Sequence, residues 1–296
     1  MLTGRPLIYG EVLFDEFQDG SAVLGGAPFN VAWHLKGFGL DPLMITRIGE
    51  DDHGKRVLEA MARWGMDTRG VQRDSRRRTG TVSVQLSEGI PSFTIHPEQA
   101  FDHIDTAQST AALGDHVFGL LYHGTLVARS DVSRHSLESL KAVVASGAFV
   151  DVNLRAPWWD KPSLAAALGR ARWAKLNDEE LQQVTAASGP LDVRGASVLR
   201  EFDLQLLVVT LGSEGSQFIS ATESRREPAA PVAAMVDTVG AGDAFSAVTI
   251  LGLFRGWPLA LIQQRASEFA SAICGQRGAT CADSQFYQRY QQRWNP

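Results

Sequence analysis

The stretch Asp237-Thr238-Val239-Gly240-Ala241-Gly242-Asp243-Ala244-Phe245 decides how this chain is read. It predicts an extended segment, a tight Gly-Ala-Gly turn and a helix continuing through Ala247, Leu251 and Phe254. Asp243 then falls at or near a helix N-terminus, where backbone N–H groups lack intrahelical partners and the positive end of the helix favours an anion. A carboxylate there is either an N-cap or a base beside an anion site. The spacing alone leaves both open.

Further towards the N-terminus, Leu206-Leu207-Val208-Val209-Thr210 is an unbroken apolar run closed by Leu211-Gly212-Ser213-Glu214-Gly215. Trp173-Ala174-Lys175-Leu176-Asn177 reads as another strand end, with Glu179 and Glu180 opening a helix, and Phe149-Val150-Asp151-Val152-Asn153 emerges beside Leu154-Arg155. Val117 to Leu121, Pro42 to Ile48 and Leu7-Ile8-Tyr9-Gly10 are further strands, and Phe218-Ile219 reads as a short edge strand. Apolar strands without alternation, separated by helices, predict an α/β fold with a mostly parallel sheet covered on both sides. Ligands of such sheets bind beyond the carboxyl ends of the strands. That rule gathers Asn153, Arg155, Asn177, Glu180, Thr210, Gly212 and Asp243 on one rim. Each has an ordinary explanation as a turn or cap; their repeated placement after strands argues for a site.

Near the N-terminus a second glycine-rich stretch, Gly25-Gly26-Ala27-Pro28-Phe29-Asn30-Val31-Ala32, opens a helix that continues through Trp33 and Lys36. Its glycines allow close backbone approach and Pro28 suits a first helical turn, so Asn30 either satisfies a tight loop or faces a ligand. Asp15, between the apolar Phe14 and Phe17, is either an exposed turn residue or an acceptor for ligand hydroxyls. Gly49-Glu50-Asp51-Asp52-His53-Gly54-Lys55-Arg56 approaches the P-loop pattern. It fails where the chemistry matters: Arg56 stands where magnesium needs Ser or Thr, and three carboxylates fill the phosphate loop, so an ordinary amphipathic helix is expected from Gly54 to Gly65. From Gln72 to Ile95 polar and apolar residues alternate, with a turn expected at Gly89-Ile90-Pro91-Ser92, as in an antiparallel hairpin with one solvated side. The expected division is a main α/β domain over 1–11, 21–71 and 101–296, and a small β lid over 12–20 and 72–100. Leu259 to Ile273 is read as a helix whose small residues Ala266, Ala270 and Ser271 allow close packing or leave room for a flat heterocycle.

A formal net charge of −5 gives no footprint for nucleic acid, and the run Arg73, Arg76, Arg77 and Arg78 is read as a solvated edge. No apolar run reaches the roughly 18 residues of a membrane span and no signal peptide precedes the first strand, so a cytoplasmic protein without a membrane partner is expected. Cys274 and Cys281 lack zinc spacing and are expected as free thiols.

The two glycine-rich stretches, in this order, resemble the N- and C-terminal motifs of the PfkB or ribokinase family of carbohydrate kinases, and the resemblance covers essentially the entire chain. Gly10-Glu11-Val12-Leu13-Phe14-Asp15, Thr79-Gly80-Thr81-Val82 and Asp151-Val152-Asn153-Leu154-Arg155-Ala156-Pro157-Trp158-Trp159 are similar to the fructokinase branch. The resemblance implies a ribokinase-like fold with a small β-sheet lid and an ATP-dependent phosphotransfer to a sugar hydroxyl. It implies Asp243 as general base, favoured in its ionised form by nearby donors, and the N–H groups of Gly240, Ala241 and Gly242 as anion hole. Asp15, Gly25, Gly26 and Asn30 match sugar-binding positions, with Arg155 as an additional substrate or phosphate contact. Asn177-Asp178-Glu179-Glu180 resembles the Asn-x-x-Glu element that acts near magnesium and phosphate largely through water, and Thr210 and Gly212 match the nucleotide-binding loop. A potassium ion is implied behind the anion hole, bound by carbonyls around Asp237 and Val239 and the loop from Gly275 to Ala282. Fructose leads as substrate. 2-Keto-3-deoxygluconate competes, with the lid arginines Arg76 to Arg78 as partners for its carboxylate; ribose or a nucleoside follows. A catalytically silent sugar-binding protein on the same fold is the alternative from another class. Apolar lid faces are expected to pair two subunits in a homodimer.

Overall fold

In the computed structural model, residues 1–87, 90–232 and 234–294 are described. The chain runs β1 (Arg5–Tyr9), β2 (Leu13–Phe17), β3 (Ala22–Gly25), α1 (Ala27–Gly37), β4 (Leu43–Gly49), α2 (Asp52–Arg63), β5 (Val71–Asp74), β6 (Gly80–Ser87), β7 (Ile90–Ile95), α3 (Thr106–Leu113), β8 (Phe118–His123) and α4 (Asp131–Val143). It continues through β9 (Ala148–Asp151), α5 (Lys161–Leu168), β10 (Ala171–Asn177), α6 (Asp178–Val184), α7 (Leu191–Glu201), β11 (Leu206–Thr210), β12 (Ser216–Ile219), β13 (Ser224–Glu227), α8 (Ala241–Arg255), α9 (Leu259–Cys274) and α10 (Ser284–Trp294).

The large sheet has the order β13-β12-β11-β10-β9-β8-β1-β4-β5. Pairings from β11 through β5 are parallel, and β12 and β13 add an antiparallel edge. Helices cover both faces, so successive residues of a central strand enter opposite cores. In β11, Val208 packs into the core that also holds α1, α8 and α9, while Leu207 and Val209 face the core holding α4, α5 and α7. Burial on both sides is why these strands read as continuous apolar runs rather than alternating ones.

The small sheet has the order β3-β2-β6-β7, with β2 and β6 parallel. It leaves the large sheet at the end of β1 and returns at the start of α1. The outgoing and returning strands cross at Gly26, where φ is +106° and a Cβ would lie 2.8 Å from the Glu11 carbonyl oxygen, so only glycine fits. The other hinge is fixed by Asp51, which N-caps α2 through the Gly54 N–H at 2.8 Å and accepts from the Thr79 N–H at 2.8 Å and the Thr79 hydroxyl at 2.7 Å. The stretch resembling a P-loop is thus a capped helix start that anchors the entry to β6.

Three strands differ from the sequence reading. β3 falls within the segment assigned to the main domain but pairs with β2 in the small sheet, and β5 falls at the start of the expected lid but pairs with β4 in the large one. Phe218 and Ile219 belong to an interior strand, because β13 lies outside β12. β13 reads Ser-Arg-Arg-Glu, an exposed charged edge with no apolar signature. The hairpin's expected turn begins at Gly89, outside the described residues, and β7 is already paired at Ile90. Both cysteines are free, and among the described residues no helix is long and apolar enough to cross a membrane.

Candidate active site

The deciding stretch folds as an extended segment and a left-handed residue, Gly240 at φ +81°, that serves as the N-cap of α8. A Cβ on Gly240 would lie 2.4 Å from that of Ala279, so the turn rests directly on the loop from 275 to 282. Asp237 joins the two segments: its carboxylate accepts from the Val239 N–H at 3.0 Å and the Gly278 N–H at 3.2 Å. The Ala241 N–H donates to the Thr238 carbonyl at a long 3.3 Å. The next N–H groups of the first turn have no intrahelical acceptor, as at every helix start.

Asp243 is the third residue of α8 and is half-buried. Its Oδ2 accepts from Asn30 Nδ2 at 2.8 Å, so the two glycine-rich stretches meet side chain to side chain. Burial pushes its pKa up to about 7; the Asn30 donor and the cations of Lys175 and Arg155 oppose the rise, while Asp151 adds to it. The expectation that donors would favour the ionised form is therefore reversed: desolvation outweighs them. A carboxylate that titrates near neutrality is matched to accepting a proton from an alcohol.

Directly behind this turn lies a buried network that sequence reasoning missed. Lys175 in β10 holds Asp151 in β9 through both carboxylate oxygens, at 2.8 and 3.0 Å, in register across the strands. Ser246 of α8 donates to the same carboxylate at 2.7 Å. A Cβ on Gly242 would lie 3.4 Å from Lys175 Nζ, which places the ammonium behind the first turn of α8. Burial works against its charge, but the Asp151, Glu180 and Asp243 carboxylates prevail and raise its pKa. Lys175 and Asp151 each stand among apolar neighbours in their strands; their adjacency is the information a single sequence withholds.

On the other side of Asp243 are the residues expected to hold a sugar. Asp15 of β2 is half-buried, with its pKa raised by burial against the opposing charge of Arg155. Gly25, also on the Asp15 face, leaves an ideal Cβ position 3.9 Å from Asp15 Oδ2, and Gly26 is the crossing point described above. Arg155 is exposed and makes no ion pair among the described residues, although its charge reaches Asp15, Glu11 and Asp243. The lid arginines are elsewhere. Arg76, Arg77 and Arg78 line a cavity with Glu16 and Thr81, whose side chains leave the opposite face of the small sheet from Asp15. Arg47 is spent on Asp74 at 2.9 Å and on the His103 carbonyl at 3.0 Å.

Across the first turn of α8 from Asn30 is a cavity of about 630 Å3, lined by Thr210, Gly212, Thr238, Ala241, Gly242, Phe245 and the α9 residues Ser267, Ala270 and Ser271. Its volume is that of a small-molecule site. One wall is clamped at Ala230, whose N–H donates to Ser267 Oγ at 2.9 Å and whose carbonyl accepts from Ser271 Oγ at 2.8 Å. Of the small residues noted in α9, Ala270 and Ser271 line the cavity, whereas Ala266 is fully buried in the core. Asn177 N-caps α6 in a reciprocal box with Glu180: Asn177 Oδ1 accepts from the Glu180 N–H at 2.7 Å, and Glu180 accepts from the Asn177 N–H at 2.8 Å. The second Glu180 oxygen accepts from the Leu154 N–H at 2.7 Å, which ties the segment bearing Arg155 to α6.

A carboxylate in the first turn of a helix, bonded to Asn30 and adjoining a cavity lined by Ala241 and Gly242, is an arrangement suited to transferring an anionic group to an alcohol. The comparisons agree with it. Residues 7–285 match the model of the pfkB family carbohydrate kinases. This chain belongs to the pfkB family. The pfkB chain is 33% identical to a fructokinase of Klebsiella pneumoniae over 268 residues, covering 85% of each. In fold it is similar to a Xylella fastidiosa fructokinase with bound ATP, at a TM-score of 0.83 and 22% identity over 99% of each chain. A Vibrio cholerae fructokinase double mutant, in its fructose-, ADP- and potassium-bound form, matches at a TM-score of 0.81 and 23% identity over 98% of each.

As a pfkB carbohydrate kinase the chain transfers a phosphoryl group to a sugar, and its metal donors fit that role only sparsely. Among the described residues no group of three or more His, Cys, Asp and Glu side chains is placed to hold a metal ion. Glu180 already uses both oxygens on backbone N–H groups, which suits contact with magnesium through water rather than direct ligation. The carboxylate of Asp237 is likewise engaged by N–H groups, so a cation beside it would have to be held by carbonyls.

Proposed function

We propose that this pfkB kinase transfers the γ-phosphoryl group of ATP to a hydroxyl of fructose, giving fructose 6-phosphate. The observation that carries the reading is the position of Asp243, bonded to Asn30 on the acceptor side and one residue from Gly242 in the lining of the 630 Å3 cavity. Asp243 takes the proton of the acceptor hydroxyl as the oxygen attacks phosphorus. Gly240, Ala241 and Gly242 present N–H groups to the phosphoryl oxygens, for which Ala241 releases its long bond to Thr238, and the positive helix end stabilises the charge there. Asp15, Asn30, Gly25 and Gly26 orient the sugar, with Arg155 above it. Thr210 and Gly212 bound the nucleotide cavity, and Asn177 with Glu180 frames its phosphate end. Magnesium, held through water by Glu180, would screen the phosphate charge, and potassium near Asp237 and Val239 would steady the anion-hole turn.

The resemblance to a fructokinase at 33% identity supports fructose. The acceptor-side alternative, 2-keto-3-deoxygluconate, loses the lid arginines as carboxylate partners and keeps Arg155. An assay of ADP formation with magnesium and potassium, run against fructose, 2-keto-3-deoxygluconate, ribose and adenosine, tests the reading. Fructose is expected to give the highest kcat/KM; ADP formation that no sugar stimulates would mean a silent binding protein.

A further inference from the structure

Glu11 Oε2, Asn30 Oδ1 and Arg129 Nη1 are among the buried polar atoms that have no partner among the described residues. Native interiors rarely leave such atoms unpaired, because each forfeits its hydration without compensation. Asn30 is already bonded to Asp243 through its other terminal atom. Glu11 follows β1 at the crossing to the small sheet and is 3% exposed. Its carboxylate lies in the fields of Asp243, Arg155 and Arg129.

Arg129 is placed by groups independent of Glu11. Its Nε and Nη2 fork onto Asp102 at 2.7 Å each, Nη2 also donates to the His96 carbonyl at 2.7 Å, and the guanidinium lies over the Trp158 ring at 4.4 Å. Trp158 belongs to the segment that carries Arg155. Only Nη1 is left to donate. The Arg129 cation acts on the buried Glu11 carboxylate, yet the two form no ion pair, because the guanidinium is turned onto Asp102. Each keeps one unpaired polar atom, an acceptor on Glu11 and a donor on Arg129, and such a pair matches the hydroxyls of a polyhydroxylated molecule.

We propose that Glu11 and Arg129 are specificity-determining acceptor-binding residues: Glu11 Oε2 accepts from one sugar hydroxyl, and Arg129 Nη1 donates to a neighbouring oxygen of the same molecule. The proposal rests on the transfer reading above and extends it beyond the hydroxyl at Asp243. The test is steady-state kinetics of Glu11→Ala, Glu11→Gln and Arg129→Lys with fructose and its monodeoxy analogues, after circular dichroism has confirmed that each variant is folded. Glu11→Ala should raise the acceptor KM roughly ten- to a hundredfold, the range of a charge-assisted hydrogen bond, with the ATP KM unchanged. Glu11→Gln, which keeps a carbonyl acceptor, should lose less. One deoxy analogue should bind wild type and Glu11→Ala equally, and a different one should do so for Arg129→Lys. An unchanged acceptor KM, or the same loss with every analogue, would overturn the proposal in favour of a structural role. If wild type turns over no sugar, the transfer reading fails by itself. Calorimetric titration of the same sugars into wild type and Glu11→Ala then decides this one: a weaker affinity in the variant supports it, and equal affinity or no binding overturns it.

Discussion

At the scale of single residues, the proposed transfer turns on Asp243 as its base. Replacing it with Asn keeps the shape and the contact to Asn30 but removes the base. Turnover should fall by about two or more orders of magnitude while acceptor binding persists; turnover near that of wild type would sink the assignment. Its pKa also makes a stability statement. In the unfolded chain the carboxyl has its ordinary value of 3.8, and folding raises it to about 7, so the folded state binds the proton more tightly. Asp243 therefore contributes stability below pH 4 that is lost as pH rises through about 7. Glu11, also raised to about 7, acts with the same sign. His34 and His123, lowered to about 3 by burial, act oppositely and cost stability as pH falls below the ordinary histidine range. Asp243→Asn should thus raise the melting temperature more at pH 8 than at pH 5, and kcat/KM of wild type should climb with pH, reaching half its maximum near pH 7 and levelling off above it. An equal change in melting temperature at both pH values would show that Asp243 titrates normally. The place of this residue in the first turn of a helix was legible from the glycine turn before it. Its shifted acidity was not, because that depends on how closely β9, β10 and α1 crowd it.

Between elements, α8 is fixed from beneath and from behind. From beneath, α1 holds the loop under Gly240: His34 Nε2 donates to the Ala279 carbonyl at 3.0 Å, and Trp33 Nε1 donates to the Cys281 carbonyl at 2.8 Å. The same helix carries Asn30, so one element sets both the acceptor side and the support of the anion turn. Gly240→Ala would force a side chain into φ +81° and against Ala279. It should cost roughly 1–3 kcal/mol, read by denaturant unfolding, and lower kcat with it; an unaltered kcat would detach the turn from catalysis. From behind, Lys175→Met strands the buried Asp151 carboxylate and should destabilise by about 3–5 kcal/mol. Adding Asp151→Asn should restore much of the stability. If kcat recovers as well, the ammonium behind α8 has no part in the reaction. His34 was legible as a packed helix residue, but neither this support nor the Lys175–Asp151 pair could be found without knowing which strands are neighbours.

For the whole molecule, the sheets divide the work: the large one brings strand ends and α8 to one rim, and the small one covers it. The face of the small sheet that carries Asp15 also exposes Val23 and Phe93, at 45% and 59%. We propose that two chains pair through this face. Light scattering should give a dimer for wild type and a monomer for Val23→Lys with Phe93→Lys; a monomeric wild type would reject it. The order of apolar strands, the glycine turns with their following helices and the polar residues at strand ends were all determined by the sequence, because period, turn chemistry and helix polarity are local properties. Tertiary structure alone decided that β3 joins the small sheet, that charged β13 completes the large one and that Arg76 to Arg78 leave the acceptor site. It also decided that Asn30, 213 residues away in the chain, bonds to Asp243 in the opening stretch. Pairing and facing depend on which distant surfaces bury each other, and that is set by packing rather than by any local pattern.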